Sequence, residues 1–215
     1  MKVLITGFDP FGGEEINPAF EAIKLLPNKI VDAEIIKLEV PTIFNDSIKV
    51  LEDAIRKNMP DIVICVGQAG GRFTISPERV AINLNDAVIP DNKGQQPVDE
   101  KIFKDGENAY FTSLPVKAMV KNMKKNHIPA SISYSAGTYV CNNLMYGLLY
   151  LLNTIPEFKK IKGGFIHVPY STEQILYKVN TPSLSLIQIA EGLEICIETA
   201  VRTKEDITTI GGTIH

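Results

Sequence analysis

The sequence predicts an α/β protein in which parallel strands are joined by crossover helices. Short apolar runs rich in β-branched residues alternate along the chain with segments of helical periodicity. One of these runs, "DIVICVG" (61–67), is apolar on both faces, as in a strand that helices cover on each side. Because 215 residues can form one hydrophobic core, and neither a linker nor an internal repeat interrupts the alternation, we expect a single domain over 1–215.

The elements follow one another in chain order. Strands are predicted over 2–7, 33–40, 61–67, 130–135 and 163–170, and helices over 18–26, 45–58, 116–126, the segment after Cys141, and 184–200. The second helix illustrates the criterion, because Ile48, Leu51 and Ile55 recur at i, i+3 and i+7. The polar tail over 203–215 is expected to fray.

The segment from Gln68 to about Pro115 is rich in Gly, Pro, Asn and Asp, apart from the apolar "RVAINL" and a pair at Tyr110 and Phe111. Loops of that length in a compact domain usually carry function. Four short motifs, "GFDPFGG", "VGQAGGR", "SAGTYVC" and "HVPY", each follow a predicted strand. Since ligands of such folds bind beyond the carboxyl ends of the strands, we expect these motifs to converge on one edge of the sheet.

Composition excludes several classes of function. The formal net charge is −3 and the basic residues are dispersed, so we expect no nucleic-acid partner. The longest apolar run, 144–152, is too short to cross a membrane. Three widely spaced cysteines form neither a disulfide framework nor a metal-ligand pair, and no other metal-binding spacing occurs. The sequence therefore favours a cytoplasmic protein without a metal or another cofactor.

Cys141 is the candidate nucleophile. It lies where a glycine-containing turn gives way to a long apolar helix, and the N-terminus of a helix lowers the pKa of a thiol. Cys65 and Cys196 lie within apolar runs, where a free cysteine is a small core residue. Geometry alone leaves a catalytic and a structural role for Cys141 equally open.

A thiol nucleophile needs a base, and the chain offers three histidines. His127 lies at a polar helix end and His215 is the last residue, whereas His167 ends a strand at the expected edge. A third residue would orient the imidazole, and Glu78 in "ISPERVAINL" is the candidate. The alternatives are a hydrogen-bonded core histidine for His167 and, for Glu78, an ion pair with a neighbouring arginine.

The glycine loops could also suggest a nucleotide site. Neither "GFDPFGG" nor "QAGGR" has the spacing of a dinucleotide-binding or Walker A motif, and "FGGEE" would turn two carboxylates toward a phosphate. The nucleotide hypothesis is therefore weak.

Several of these motifs together resemble the pyroglutamyl peptidase I (pyrrolidone-carboxylate peptidase) family. They are "LITGFDPFGGEEINP", "DIVICVGQAGGR", "ISPERVAINLNDAVIPDN", "YFTSLPVKAM", "SAGTYVCN" and "GGFIHVPY", in one order from Met1 to about Ala200. The resemblance implies a cytoplasmic cysteine exopeptidase that removes an N-terminal pyroglutamyl residue from peptides. It further implies a three-layer α/β/α sandwich with a twisted, mostly parallel central sheet, assembled as a homotetramer.

The same resemblance assigns roles to residues. Cys141 would be the nucleophile, as a thiolate paired with the imidazolium of His167, and Glu78 would hold that imidazole. Phe8 and Phe11 would contact the lactam ring and Gln68 its polar atoms. The remaining wall of the binding site would consist of Thr42, Ile89, Tyr139 and Val140.

Two positions depart from the pattern of the family, and a third lies beside the binding site without a role in it. Val88 stands where relatives often carry arginine, and Tyr139 stands where phenylalanine is common, so its hydroxyl needs water or a partner. Asn17 is expected to brace its loop or cap the helix after it rather than touch substrate. A non-catalytic small-molecule binding protein on the same scaffold remains the alternative function.

Overall fold

The computed structural model describes residues 1–212. The strands are β1 (Lys2–Phe8), β2 (Lys29–Ile30), β3 (Ala33–Val40), β4 (Ile62–Gln68), β5 (Ser76–Pro77), β6 (Val80–Ile82), β7 (Ala109–Phe111), β8 (Lys162–Val168), β9 (Tyr170–Ser171) and β10 (Ser183–Leu184). The helices are α1 (Pro18–Leu25), α2 (Asp46–Asn58), α3 (Val116–Lys125), α4 (Val140–Thr154) and α5 (Leu186–Arg202). Short 3₁₀ turns occupy Pro156–Phe158 and Glu173–Ile175.

The central sheet has six strands in the order β2-β3-β1-β4-β8-β5. Its four inner strands are parallel, and the short edge strands β2 and β5 are antiparallel to their neighbours. The carboxyl ends of β1, β4 and β8 therefore open at one edge, which confirms the predicted mostly parallel sheet. The glycine-rich segments after β1 and β4 begin there.

Helices cover both faces of the sheet. Alternate residues of the inner strands point to opposite faces, so Val3 and Ile5 pack with α1, α3 and α5, whereas Leu4 and Phe8 pack with α2 and α4. All seven residues of β4 are buried, as the doubly covered strand requires. These two cores make the predicted three-layer sandwich. In the described part of the chain, no helix is long and apolar enough to span a bilayer.

Local signals set the ends of two helices. Asn17 caps α1, because its side chain accepts a hydrogen bond from the N–H of Ala19 while its amide donates to the carbonyl of Asp9. Both expected roles of Asn17 are therefore present. Ser185 and Gln188 form a reciprocal capping box at the start of α5, two residues after the predicted start at Leu184.

The predicted strand over 130–135 is wrong. The segment runs beside β5 and makes only isolated bridges, Ile75 with Ala130 and Glu78 with Ser133. The N–H of Ile75 donates to the carbonyl of Pro129 and that of Arg79 to the carbonyl of Ser133, but Pro77 between them has no N–H to give. A missing donor in mid-ladder interrupts the pairing, so the chain enters α4 from an irregular segment.

The long middle segment contains one small sheet, β6 paired antiparallel with β7.

The tail also differs from expectation, because residues 203–212 contact α3. The carboxylate of Asp206 accepts hydrogen bonds from the N–H groups of Lys117 and Ala118, which the first turn of α3 leaves free. Lys117 Nζ donates to the carbonyl of Thr209. Residues 213–215 of the predicted frayed tail, with the candidate His215, lie outside the described residues.

Candidate active site

The predicted catalytic residues meet at the carboxyl edge of the sheet. His167 on β8 pairs in register with Gly67 on β4, and neighbouring strands are only about 4.8 Å apart. A Cβ atom placed on Gly67 would lie 2.9 Å from Cys141 Sγ. Since in-register residues of parallel strands face the same side, the His167 imidazole and the Cys141 sulfur stand next to each other on the α4 face.

Glu78 completes the group. It follows β5, the edge strand whose Ser76 pairs with His167, and its N–H donates to the carbonyl of Phe165. This backbone pairing turns the Glu78 side chain toward the imidazole, and Glu78 Oε1 lies 2.6 Å from His167 Nδ1. Both side chains are almost fully buried. A carboxylate only accepts hydrogen bonds, so Nδ1 carries the proton and Nε2 is left to accept one.

Glu78 contacts both the histidine and a neighbouring arginine. The same Oε1 that accepts from His167 also accepts a hydrogen bond from Arg72 Nη1, at 2.8 Å. The neighbouring arginine is thus part of the same cluster. His167 in turn packs against Phe165, with ring centroids 4.8 Å apart.

Cys141 is the second residue of α4 and is half-buried. Its N–H belongs to the first turn, whose donors have no partners within the helix. The aspect that differs from expectation is the charge state. Burial raises the pKa of the Cys141 thiol to about 12, and the nearby Glu78 carboxylate raises it further, against a lowering by Arg72 and by a backbone N–H.

The pKa of His167 moves in the opposite direction. Burial lowers it below 6.5, although the hydrogen bond to Glu78 partly opposes that effect. A raised thiol pKa and a lowered imidazole pKa both favour the neutral forms at pH 7. Burial therefore works against the expected thiolate and imidazolium, because it disfavours the charged form of each group.

Two buried asparagines fix the start of α4. Asn142 accepts from the N–H of Ile82 and donates to the carbonyls of Ile82 and Leu84. Asn143 accepts from the N–H of Asn45 and donates to the Asn85 side chain. The helix end that carries Cys141 is thus tied to both flanking loops, a role that the sequence analysis missed. Adjacent Asn residues at the start of an apolar helix were the available signal.

The predicted residues of the binding site divide into three groups. Phe8 and Val140 are buried in the core on the α4 face, with 2% and 0% exposure. Phe8 packs against Phe165, which in turn packs against His167. These two residues therefore lie in the core behind the site and support the side chains that line it.

The second group lies nearer the surface. Phe11 and Tyr139 are half-buried, with ring centroids 6.1 Å apart. The Tyr139 hydroxyl finds its partner in the carbonyl of Pro90, at 3.0 Å, and burial helps to raise its pKa to about 12, so it stays a donor. This bond holds the segment that carries the partly exposed Ile89 against Tyr139.

Thr42 and Gln68 are buried and hydrogen-bonded within the protein. Thr42 Oγ1 donates to the carbonyl of Asp9, and its N–H donates to the Asp9 carboxylate. Gln68 Oε1 accepts from Gln174 Nε2 at 2.9 Å. By strand alternation the Gln68 side chain points to the face opposite His167, so its backbone, not its amide, borders the site.

Val88 and His127 lie at the surface. The Val88 side chain is 93% exposed, and its carbonyl accepts a hydrogen bond from Gln96 Nε2. His127 is exposed beyond the end of α3, as predicted for a solvated histidine.

Comparison with known proteins identifies the family. A model of the pyroglutamyl peptidase family matches residues 1–203. The chain is 60% identical to a pyrrolidone-carboxylate peptidase of Clostridium botulinum and 58% identical to one of Enterococcus faecalis, each over the whole of both chains.

Solved structures agree with these matches. The pyroglutamyl peptidase I of Bacillus amyloliquefaciens superposes with a TM-score of 0.94 at 54% identity, over 97% of this chain and 98% of that one. The pyrrolidone carboxyl peptidase of Thermococcus litoralis gives 0.92 at 38% identity, over 97% and 99%. The family suggested by the motifs is therefore confirmed, and the chain belongs to the pyroglutamyl peptidase family.

Proposed function

We propose that this chain hydrolyses the amide bond that follows an N-terminal pyroglutamyl residue of a peptide, with Cys141 as nucleophile, His167 as general base and acid, and Glu78 as the residue that orients His167. The observation that carries the assignment of roles is the placement of the Cys141 sulfur above Gly67, next to the Glu78-bound imidazole. Family membership supports the activity, and the non-catalytic binding alternative is not favoured.

Attack begins from the neutral pair. His167 Nε2 accepts the thiol proton as the Cys141 sulfur bonds to the pyroglutamyl carbonyl carbon, and the carbonyl oxygen becomes an oxyanion. The imidazolium that forms is stabilised by the Glu78 carboxylate at Nδ1. Because the proton moves only when the substrate is in place, a free enzyme with a high thiol pKa remains competent.

Collapse of the tetrahedral intermediate completes acylation. His167 gives its proton to the leaving amine nitrogen, the C–N bond breaks, and a thioester on Cys141 remains. Water then attacks the thioester while His167 takes one of its protons, and the thiol leaves with that proton restored. The oxyanion lies near the first turn of α4, where the N–H of Cys141 can donate to it, and one such donor is typically worth about 100- to 1000-fold in rate.

Specificity follows from the uncharged lactam. The side chains of Phe11, Tyr139 and Ile89 offer a largely apolar wall, with Phe8, Thr42 and Val140 behind it and the backbone of Gln68 at its edge. An N-terminal glutamate or glutamine would bring an ammonium group into that wall without a counter-charge, at a cost on the order of several kcal/mol. Peptides with a free N-terminus are therefore rejected.

We further propose a cytoplasmic homotetramer that binds neither nucleic acid nor membranes. The three cysteines are free in the structure, which suits a reducing compartment. Phe73 and Val179, both highly exposed, line one surface cavity of about 460 Å³ together with Lys178. A second copy of the chain would cover such apolar side chains. Light scattering after size-exclusion chromatography measures the assembly.

A matched pair of cysteine variants tests the catalytic assignment. Cys141→Ala is expected to abolish release of a fluorogenic amine from a pyroglutamyl amide. Cys196→Ala removes a fully buried thiol on the opposite face of the sheet and is expected to leave the specific activity unchanged. Wild-type activity in Cys141→Ala would contradict the proposal.

A further inference from the structure

Arg72 makes two contacts that link the catalytic acid to the segment before the nucleophile. Its Nη1 donates to Glu78 Oε1 at 2.8 Å, and its Nη2 donates to the carbonyl of Ser135 at 3.1 Å. Ser135 lies in the turn that leads to Cys141. One guanidinium group therefore joins the loop after β4, the buried acid and the entry to α4.

The Glu78 carboxylate depends on this contact for its orientation. Oε1 accepts from both Arg72 and His167, whereas Oε2 is buried and has no hydrogen-bond partner within residues 1–212. Glu78 itself is 0% exposed. Buried charges are normally paired, and Glu78 has two ion-pair partners among the described residues. Arg72 is always charged, whereas burial favours the neutral form of His167.

We propose that Arg72 is a positioning residue of the catalytic group, which holds Glu78 in the orientation that His167 needs and fixes the turn before Cys141. The inference rests on the proposed function. It follows from the fork shape of the guanidinium, whose two nitrogens reach two acceptors at once, a geometry that an ammonium group cannot reproduce.

The charge of Arg72 also acts on the base. The charged groups that act on His167 are Glu78 and Arg72, from the loops after β5 and β4. The Cys141 thiol of α4 lies beside the imidazole, and Cys65 of β4 lies near that thiol. Glu78 raises the pKa of His167, whereas Arg72 lowers it. With Arg72 present, the imidazole stays neutral, and therefore able to accept the thiol proton, down to a lower pH.

Three variants separate positioning from simple stabilisation. Arg72→Gln removes the charge and one donor arm, Arg72→Lys keeps the charge but reaches only one acceptor, and Arg79→Gln is the matched control. Arg79 is similarly exposed, follows Glu78 directly, and contacts Asp206 and Phe111 instead of the catalytic group. Thermal melts of all four proteins verify folding, and the readout is the pH dependence of kcat/KM on a pyroglutamyl amide.

For Arg72→Gln we expect kcat to fall about 10- to 100-fold, as for loss of a hydrogen bond to a charged group, with little change in KM. The acidic limb of its kcat/KM profile should move to higher pH, since His167 without the nearby guanidinium holds a proton more tightly. Arg72→Lys should keep the acidic limb of kcat/KM at the same pH as the wild type, with a kcat between those of the wild type and Arg72→Gln. Arg79→Gln should superimpose on the wild type.

A purely structural role gives another pattern. If Arg72→Gln retains the wild-type limb, or if Arg72→Lys shifts as far as Arg72→Gln, the inference is overturned. Should Arg72→Gln fail to fold, Arg72→Lys alone decides, because a wild-type kcat in that variant would contradict the need for two contacts. None of these outcomes bears on the proposed function, which the Cys141→Ala variant tests separately.

Discussion

Cys141 and Cys196 sit in helices on opposite faces of the same sheet, and only one of them is placed for chemistry. Burial raises the thiol pKa of both residues, so the ionisation tendency does not distinguish them. Cys196 lies in the middle of α5, where its sulfur is 3.6 Å from the sulfur of Met123. Cys141 lies in the first turn of α4, beside an imidazole that a carboxylate orients. In the proposed mechanism, the position of Cys141 relative to a base, and not a low resting pKa, makes its thiol the nucleophile.

The largest effect should come from removing that base. His167→Ala leaves the Cys141 thiol protonated with nothing to accept its proton, so kcat should fall by about 10⁴-fold or more. Steady-state hydrolysis of a pyroglutamyl amide measures the loss. A His127→Ala control should have wild-type kinetics, since His127 is exposed beyond α3. A loss of less than tenfold in His167→Ala would show that another group is the base.

Replacing the acid should cost somewhat less. Glu78→Gln keeps the size of the side chain but cannot stabilise the imidazolium, and we expect kcat to fall on the order of 10³-fold. Glu173→Gln, a substitution of the same type at an exposed position, is the control. Equal activity of the two variants would mean that the contact between Glu78 and His167 has no catalytic role.

One added methyl group on each face of the sheet compares the close packing there. Gly67→Ala adds it on the α4 face and Gly192→Ala on the α5 face. In Gly67→Ala the new Cβ would lie 2.9 Å from Cys141 Sγ and 2.8 Å from Phe165 Cζ, so the sulfur must move, and such a displacement typically costs about 100-fold in kcat. In Gly192→Ala the new Cβ would meet Ile75 Cδ1 at 2.3 Å. That crowding should lower stability by about 1–3 kcal/mol and leave the activity of the folded enzyme intact.

Both quantities can be measured on the same samples. Kinetics report the effect at the α4 face, and urea denaturation reports the effect at the α5 face. If Gly67→Ala loses stability but keeps its kcat, the Cys141 sulfur does not lie where the structure has it.

The titration of the buried thiols should also be visible in stability. Cys65, Cys141 and Cys196 have pKa values raised above 9.0 by burial, so the folded protein keeps protons that the unfolded chain releases. The free energy of unfolding should therefore be unaffected by these groups below pH 9. Above it, each thiol should reduce that free energy by up to about 1.4 kcal/mol per pH unit until its folded pKa is reached.

Cys196→Ala sharpens this measurement. Urea denaturation between pH 8 and about pH 11 measures how fast the free energy of unfolding falls with pH. This fall should be shallower in the variant than in the wild type, by up to about 1.4 kcal/mol per pH unit. An unchanged slope would mean that the Cys196 thiol titrates normally in the fold.

The smallest effect is expected at the wall of the binding site. Tyr139→Phe removes the hydrogen bond to the carbonyl of Pro90 and keeps the ring against Phe11. We expect KM to rise by up to about tenfold with kcat nearly unchanged, as for loss of one neutral hydrogen bond. A large fall in kcat would place the hydroxyl in the chemistry instead.

The sequence was most informative where one local pattern decided the structure. The apolar run that became β4 and the periodic stripe of α2 predicted those elements closely, because burial on two faces or on one stripe leaves a clear signature. The strand over 130–135 was wrong because one proline on the neighbouring segment, Pro77, removes a donor. The pairing of β6 with β7 joins residues far apart in the chain. Hydrophobic periodicity is a local pattern, so it does not predict which distant segments pair.

The site shows the same division. The family motifs brought Cys141, His167 and Glu78 together, and the structure places them side by side. The thiolate that the resemblance implies stays a prediction, and burial works against it by raising the pKa of Cys141, because a helix N-terminus is visible in the sequence whereas the depth of burial is not. The fork of Arg72 was likewise visible only as an arginine near an acid, since its second acceptor, the carbonyl of Ser135, comes from a distant loop.

Trapping the covalent intermediate would identify which of the three thiols is the nucleophile. Rapid acid quench during turnover of a pyroglutamyl ester, followed by peptide mapping with mass spectrometry, should find one pyroglutamyl group bound to Cys141 and none on Cys65 or Cys196. The adduct should not form in His167→Ala within the same time. An acyl group on any other residue, or steady turnover by Cys141→Ala, would contradict the assignment of Cys141 as the nucleophile.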